Sequence, residues 1–265
     1  MATQFQARIA NEGADYAAGT AQAAFDLLAR LEGHLSRFRA NSDISQIAAL
    51  VPGEALRLTA STYACLEIAQ RMERATGGAF SITAAARQTQ PASPQWTLFR
   101  ESLSIRCDAG KLTFDLGAIG KGFALDRLAA LLREWSCPAF LLVAGGSSIL
   151  AGDAPAGTHG WSCGLGEDQS PQRYWLKNCS LSGSGLRVKG KHILDPRTGQ
   201  PAQRENRAWA LADTAAESDA LSTAAMVLNK AEIKEALKQE KSWLVILNEE
   251  ESWQCLGSRA LPAKA

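Results

Sequence analysis

The residues best suited to hold a divalent cation lie in one short segment, ESDALSTAAMV, residues 217–227. Asp219 and Thr223 are four residues apart, so on a helix they would share a face. A carboxylate, a hydroxyl and loose backbone carbonyls are the hard oxygen ligands that Mg²⁺ takes. Ser218 would be the N-cap of this helix. In the alternative interpretation, Asp219 only favours the positive helix end and Thr223 is a surface residue.

The segment FDLGAIGKGFALDR, residues 114–127, offers anion binding instead. It is not a phosphate-binding P-loop, because only two residues separate Gly117 from the Gly120-Lys121 pair and a glycine follows the lysine. A glycine-rich turn that leads into a helix remains. Backbone N–H groups at a helix N-terminus attract anions, and Lys121 would add charge there. The alternative is a tight strand-to-helix turn with a solvated lysine.

Two further loops contain residues that could contact a ligand. Gly145 and Gly146 end a short apolar strand, and glycine lets a backbone approach a ligand closely; an ordinary turn explains the pair equally well. His192 precedes the polar run ILDPRTG with its Asp195. A histidine in such a loop can carry a proton near neutral pH, or it can cap a neighbouring carbonyl.

The elements that must position these residues follow from the hydrophobic spacing. The spacing predicts helices at 17–38, 60–76, 120–135, 217–229 and 231–239. It predicts strands at 4–9, 138–146, 173–183, 207–215, 242–250 and 251–257, and a hairpin of 102–106 with 111–116. Strands and helices mix without a regular βαβ repeat, which favours an α+β fold. We expect residues 1–265 to form a single domain.

Composition narrows the class of protein. The formal net charge is +1 and no basic block stands out, which argues against a nucleic-acid or anionic-membrane surface. None of the six cysteines forms a C-x-x-C pair, so we expect no zinc knuckle. We expect the cysteines to be reduced, buried thiols. No secretory signal and no apolar run of about 18 residues occur. These features predict a cytoplasmic location without a membrane-spanning segment.

Taken in order, five segments resemble the FAD:protein FMN transferases, the ApbE family: LSRFRANSDISQIA, ATGGAFSIT, DLGAIGKGFALDR, HILDPRTG and DALSTA. The resemblance implies an α+β fold of the ApbE type, related to the T-fold, in which two lobes enclose an FAD cleft. It implies that Asp219 and Thr223 bind Mg²⁺ with backbone carbonyls near Ala118 and Ser222. It implies that FAD lies along the following residues: Phe38, Gly78, Phe80, Thr83, Asp115, Gly117, Lys121, Gly146, Ser147 and His192.

The resemblance also implies a reaction, in which a Ser or Thr hydroxyl of a target flavoprotein attacks the FMN phosphate of FAD and AMP leaves. His192, Asp219 and Thr223 are then the catalytic residues. The chain departs from the family pattern at Ser81 and Ser147, where aspartates are usual, and in a shortened region at 84–97. A relative that binds FAD, or hydrolyses it to FMN and AMP without modifying a protein, is therefore the alternative.

Overall fold

The computed structural model describes residues 3–88, 94–165, 172–185, 193–202, 207–249 and 252–265. The helices are α1 Ala14–Leu35, α2 Asp43–Ile47, α3 Ala60–Ala75, α4 Gly120–Glu134, α5 Ala215–Ala225 and α6 Lys230–Ala236. The strands are β1 Phe5–Ile9, β2 Ala55–Arg57, β3 Gln95–Phe99, β4 Ser104–Ala109, β5 Phe140–Ala144, β6 Ser148–Ala151, β7 Trp161–Leu165, β8 Gln172–Leu176, β9 Cys179–Ser184, β10 Ala208–Ala212, β11 Leu244–Glu249 and β12 Ser252–Gly257. The α+β prediction is confirmed.

The central element is a seven-stranded antiparallel sheet in the order β1-β5-β6-β9-β10-β11-β12. Strands β2, β4 and β3 form a second sheet, and β7 pairs with β8. One face of the large sheet carries α4 and α5, with α1 and α3 packed on those two helices. The β7-β8 pair covers the opposite face. Within the described ranges, no helix is long and apolar enough to cross a membrane. The two-lobe arrangement stays a prediction.

The hairpin predicted for 102–106 with 111–116 is wrong. Strand β4 pairs instead with β3, which precedes it, and with β2. Residues 111–116 form no strand, because Leu112 and Phe114 enter the main hydrophobic core rather than a ladder. This irregular segment delivers the chain directly to the N-terminus of α4.

Strand β9 shows why α5 packs where it does. Cys179 and Leu181 point to the face covered by β7 and β8, so the period of two places Ser180 and Ser182 on the other face. Both serines are fully buried beneath α5. Buried hydroxyls need partners, and α5 supplies them through Ser218, which lies within 2.7 Å of Ser180 Oγ and 2.8 Å of Ser182 Oγ.

Helices α4 and α5 approach each other closely because Gly122 lies between them. A Cβ at this position would stand 2.0 Å from the Ala215 carbonyl oxygen. Asp126 of α4 then caps α5: its carboxylate accepts from Ala215 N at 2.7 Å and from Ala216 N at 2.9 Å. Thr214, the N-cap residue, accepts from the Glu217 N–H. The predicted N-cap Ser218 is wrong, because Asp126 and Thr214 start the helix one turn earlier.

We expect Gly122→Ala to lower the free energy of unfolding by about 1–3 kcal/mol, the usual range for overpacking, because the added methyl group meets backbone. Gly33→Ala in α1 is the matched control, since a Cβ there meets nothing within 4 Å. It should instead stabilise by about 0.5–1 kcal/mol through helix propensity. Urea denaturation measures both changes. Equal effects at the two sites would contradict the close α4–α5 contact.

Burial raises the pKa of Asp126 to about 6, although the two backbone N–H groups oppose this. The native state therefore holds a proton that the unfolded chain has released, so the contribution of Asp126 to stability falls as pH rises between the two pKa values. The free energy of unfolding of the wild type minus that of Asp126→Asn should fall by up to ~3 kcal/mol from pH 4 to pH 7, at about 1.4 kcal/mol per pKa unit. Urea denaturation across this range measures the difference, with the exposed Asp15→Asn as control. A difference that stays constant with pH would contradict the raised pKa.

Candidate functional site

The carboxylate of Asp219 lies at the junction of α4, α5 and the large sheet. The residue is 2% exposed, and polar groups surround its oxygens. Oδ1 accepts from Ser148 Oγ at 3.1 Å, and Oδ2 accepts from Gly122 N at 3.2 Å. The Gly122 bond satisfies an N–H in the first turn of α4 that no intrahelical carbonyl can reach. Asp219 thus caps α4 from α5, just as Asp126 caps α5 from α4.

Lys121 is the charge partner of Asp219. Its Nζ lies 3.1 Å from Oδ1 and 3.2 Å from Oδ2, and it also donates to the Gly117 carbonyl oxygen at 3.0 Å. These three acceptors match the three protons of an ammonium group. The side chain is only 20% exposed. The solvated-lysine interpretation of this turn is therefore wrong.

Thr223 and Ser222 occupy the next turn of α5 and face β9 rather than α4. Both hydroxyls donate to the Asp219 carbonyl oxygen, at 3.2 Å and 3.0 Å. Ser184 Oγ lies 3.2 Å from the Thr223 hydroxyl and 2.9 Å from that of Ser222. The Thr223 hydroxyl and the Asp219 carboxylate therefore have separate partners, one on β9 and the other on α4 and β6. Six hydroxyl residues form a group that we call the hydroxyl cluster: Ser180, Ser182, Ser184, Ser218, Ser222 and Thr223.

Asp115 fixes the turn that precedes α4. Its Oδ1 accepts from Gly117 N at 2.9 Å, and its Oδ2 forms an ion pair with Arg37 Nη1 at 2.7 Å. The Arg37 guanidinium also lies 4.9 Å from the centre of the Phe38 ring, which is 81% exposed. The structure thus links Phe38 to the Gly117 turn through Arg37. Half-buried Ala118 continues that turn. Sequence reasoning missed Arg37, although it lies beside Phe38 in the segment LSRFR.

The turn between β5 and β6 lies against Lys121. Gly145 and Gly146 have φ values of +59° and +66°, which glycine adopts without strain. A Cβ on Gly145 would stand 2.4 Å from Thr3 Oγ1 and 3.8 Å from Lys121 Cδ. Ser147 accepts from Gly183 N through its carbonyl at 2.7 Å, which ties the turn to β9. The residues predicted from two separate segments therefore meet at one place: Gly117 and Lys121 from residues 114–127, and the Gly145-Gly146 turn.

The segment 77–83 lies farther along the main core. Gly78 has a φ of +79°, and a Cβ there would stand 3.6 Å from Arg197 Cγ. Phe80 is 2% exposed and belongs to the main core, while the Thr83 hydroxyl lies 2.9 Å from Ser81 Oγ. The side chains of Phe80 and Thr83 therefore support the segment from within.

His192 lies outside the described residues, so its role stays a prediction. The loop that follows it is held by Arg197, which binds Asp195 Oδ2 at 2.9 Å and Glu232 Oε1 at 2.6 Å. Hydrogen bonds to Asp195 raise the pKa of Arg197. Two hydrogen bonds lower the pKa of Glu232: the larger effect comes from the Asn229 backbone N–H and the smaller from Arg197. Arg197 thus anchors this loop to α6 through Glu232, and Asp195 holds the Arg197 guanidinium in place. Sequence reasoning missed Arg197, although it lies within the quoted motif HILDPRTG.

The oxygen atoms around Lys121 are of the kind that binds a hard cation. No group of three or more His, Cys, Asp or Glu residues occurs in the part of the chain that the structure describes, so a thiolate- or imidazole-rich zinc site does not fit. The Asp219 carboxylate and the Gly117 carbonyl already surround a cationic ammonium group. Carboxylate, hydroxyl and carbonyl oxygens are the ligands that Mg²⁺ prefers.

Comparison with known proteins identifies relatives of this chain. The ApbE family model matches residues 1–247. An FAD:protein FMN transferase from Treponema pallidum is 28% identical over 254 residues, which cover 77% of this chain and 70% of that protein. One from Escherichia coli K12 is 26% identical over 147 residues, 50% of this chain and 42% of that protein. The chain thus spans less than half the length of the Escherichia coli relative.

Solved structures share the fold. The flavin transferase ApbE from Vibrio cholerae superposes with a TM-score of 0.82 at 17% identity, over 97% of this chain and 95% of that one. The ApbE protein from Thermotoga maritima gives 0.80 at 19% identity, over 96% of each chain. Since the family model spans most of the sequence, the chain belongs to the ApbE family.

Proposed function

We propose that this protein transfers FMN from FAD to a Ser or Thr hydroxyl of a target flavoprotein, in a Mg²⁺-dependent reaction that releases AMP. The observation that carries the proposal is the meeting of Asp219, Lys121 and the Gly117 carbonyl at the N-terminus of α4. Relatives from Treponema pallidum and Escherichia coli bear the name of this activity.

The chemistry suits such a site, because phosphoryl transfer depends on positioning and charge neutralisation more than on covalent help from the enzyme. Lys121, in the first turn of α4, would supply positive charge that favours a diphosphate. Gly117 and Gly146 present no side chain, so the backbone can approach the nucleotide closely.

Asp219 and Thr223, with the carbonyls of Ala118 and Ser222, would hold the Mg²⁺ ion. When bound, this ion would neutralise charge on the diphosphate and on the leaving phosphate of AMP. Ser148 and Gly122 orient the Asp219 carboxylate through hydrogen bonds, as partners behind a metal ligand commonly do. The exposed Phe38 ring is available to stack on the flavin or the adenine.

His192 is the proposed general base for the incoming hydroxyl, an effect that typically contributes 10²–10⁴-fold where it operates. The Arg197 ion pairs support this role indirectly, because they anchor the loop that follows the histidine. The cytoplasmic location stays a prediction.

The test incubates the purified chain with FAD, Mg²⁺ and an acceptor flavoprotein. We expect AMP by liquid chromatography and an FMN-sized mass increase on an acceptor Ser or Thr. AMP accompanied by free FMN and an unmodified acceptor would instead identify an FAD hydrolase. FAD recovered unchanged would identify a flavin-binding protein and overturn the proposal.

We expect Asp219→Asn to lower Mg²⁺-dependent turnover by at least about 10²-fold, the scale on which a lost electrostatic contact in a transition state is felt. Asparagine retains an oxygen for Ser148 or Gly122, so this variant disturbs the fold less than Asp219→Ala would. Circular dichroism and urea denaturation check the fold, and AMP release at several Mg²⁺ concentrations measures the effect. Full activity in a folded Asp219→Asn chain would show that the metal assignment is wrong.

A further inference from the structure

The ammonium group of Lys121 lies against the carboxylate that we propose as a ligand of the divalent cation. Its Nζ lies 3.1 Å and 3.2 Å from the two Asp219 carboxylate oxygens and 3.0 Å from the Gly117 carbonyl oxygen. A divalent ion on an Asp219 oxygen would lie about 2.1 Å from it. An ammonium group and a divalent ion on one carboxylate repel each other, so a metal ion on Asp219 would weaken the Lys121 contact.

We infer that Lys121 neutralises Asp219 when no divalent cation is bound, and that it moves to the diphosphate of the nucleotide when a cation binds Asp219. This inference rests on the proposed divalent-cation site. It goes further by giving Lys121 two successive partners and by making metal binding depend on nucleotide binding. The exchange breaks no covalent bond: Lys121 stays protonated, and its three hydrogen bonds pass from protein oxygens to phosphate oxygens.

The burial of Asp219 explains why its carboxylate needs a positively charged partner. Asp219 is 2% exposed, and a buried carboxylate without a counter-charge is strongly disfavoured. The neutral hydrogen-bond donors, Ser148 and Gly122, orient the carboxylate but bring no charge. Among the described residues, Lys121 is the cationic side chain that pairs with Asp219.

Charge also explains why the lysine can leave. Once a divalent cation neutralises Asp219, Lys121 is repelled and adds to an excess positive charge that matches a diphosphate. Its stem lies against the Gly145-Gly146 turn, where a Cβ would stand 3.8 Å from Lys121 Cδ. Glycine at this position leaves room for the stem to move. Lys121 itself lies in the first turn of α4, the helix end that we propose binds the phosphates.

The exchange predicts a defined coupling. In the wild type, metal affinity is reduced by the fraction of molecules in which Lys121 holds Asp219, and the nucleotide removes this cost by giving Lys121 another partner. FAD and metal should then each tighten the binding of the other, typically by about 5–150-fold. Direct contact between the metal ion and the diphosphate also couples the two ligands, so the part that depends on Lys121 is the part that should be lost when the lysine is replaced.

The first experiment measures Mn²⁺ affinity by titration calorimetry or electron paramagnetic resonance, with and without FAD. Lys121→Gln, which keeps a hydrogen-bond donor without the charge, should bind Mn²⁺ at least about fivefold more tightly than the wild type does in the absence of FAD. FAD should tighten Mn²⁺ binding by a larger factor in the wild type than in Lys121→Gln. Equal affinities and equal coupling in the two chains would overturn the exchange.

The second experiment uses the wild-type chain, so it does not depend on how the variant folds. Acetylation of lysines by an amine-reactive ester is followed by mass spectrometry, with exposed Lys241 as internal control. Mn²⁺ should accelerate labelling of Lys121 about tenfold or more as the residue passes from mostly paired to mostly released, and FAD added with Mn²⁺ should suppress it again. Unchanged labelling on addition of Mn²⁺ would overturn the exchange.

These outcomes separate the inference from the proposed function. Suppose that the wild type releases AMP from FAD, that Mn²⁺ leaves the labelling rate of Lys121 unchanged, and that the wild type and Lys121→Gln bind Mn²⁺ equally well. Then only the exchange fails. If neither AMP nor a flavinylated acceptor forms, the proposed function fails whatever the Mn²⁺ affinities are.

Discussion

The site depends on one buried ion pair, between Lys121 of α4 and Asp219 of α5. Each residue lies on a different helix, and the carboxylate also closes the first turn of α4 through Gly122. Buried ion pairs contribute little net stability because both groups lose their hydration. Their geometry is nevertheless restrictive, since every oxygen and every proton must find a partner. The pair therefore fixes where α4 and α5 meet more than it strengthens the fold.

The two helices cap each other. Asp126 accepts from the first turn of α5, and Asp219 accepts from the first turn of α4. Gly122 permits this mutual capping, because any side chain at that position would press on Ala215. The segment 114–127 thus supplies the close contact, one cap and the lysine. This explains why a single motif of the sequence carries so much of the site.

Much of this could be predicted from the sequence, and the limits have physical causes. Helices α3 and α4 and the α+β class follow from local hydrophobic spacing. The meeting of Lys121 and Asp219 does not, because no local rule relates residues 98 positions apart. The false hairpin at 102–116 arose because alternation in KLTFDL resembles a strand, whereas Leu112 and Phe114 serve the core. Ser218 was mistaken for a cap because its partners lie on β9.

The hydroxyl cluster limits which substitutions this sequence can accept during evolution. Ser180, Ser182 and Ser218 are fully buried and complete one another's hydrogen bonds. Replacing Ser218 alone removes one hydrogen-bond partner from both strand serines, although Ser180 keeps the Ile149 carbonyl. Replacing several of them together by small apolar residues can be nearly neutral. Substitutions at these three positions should therefore be correlated among related sequences, so that the interface between β9 and α5 changes as a unit or not at all.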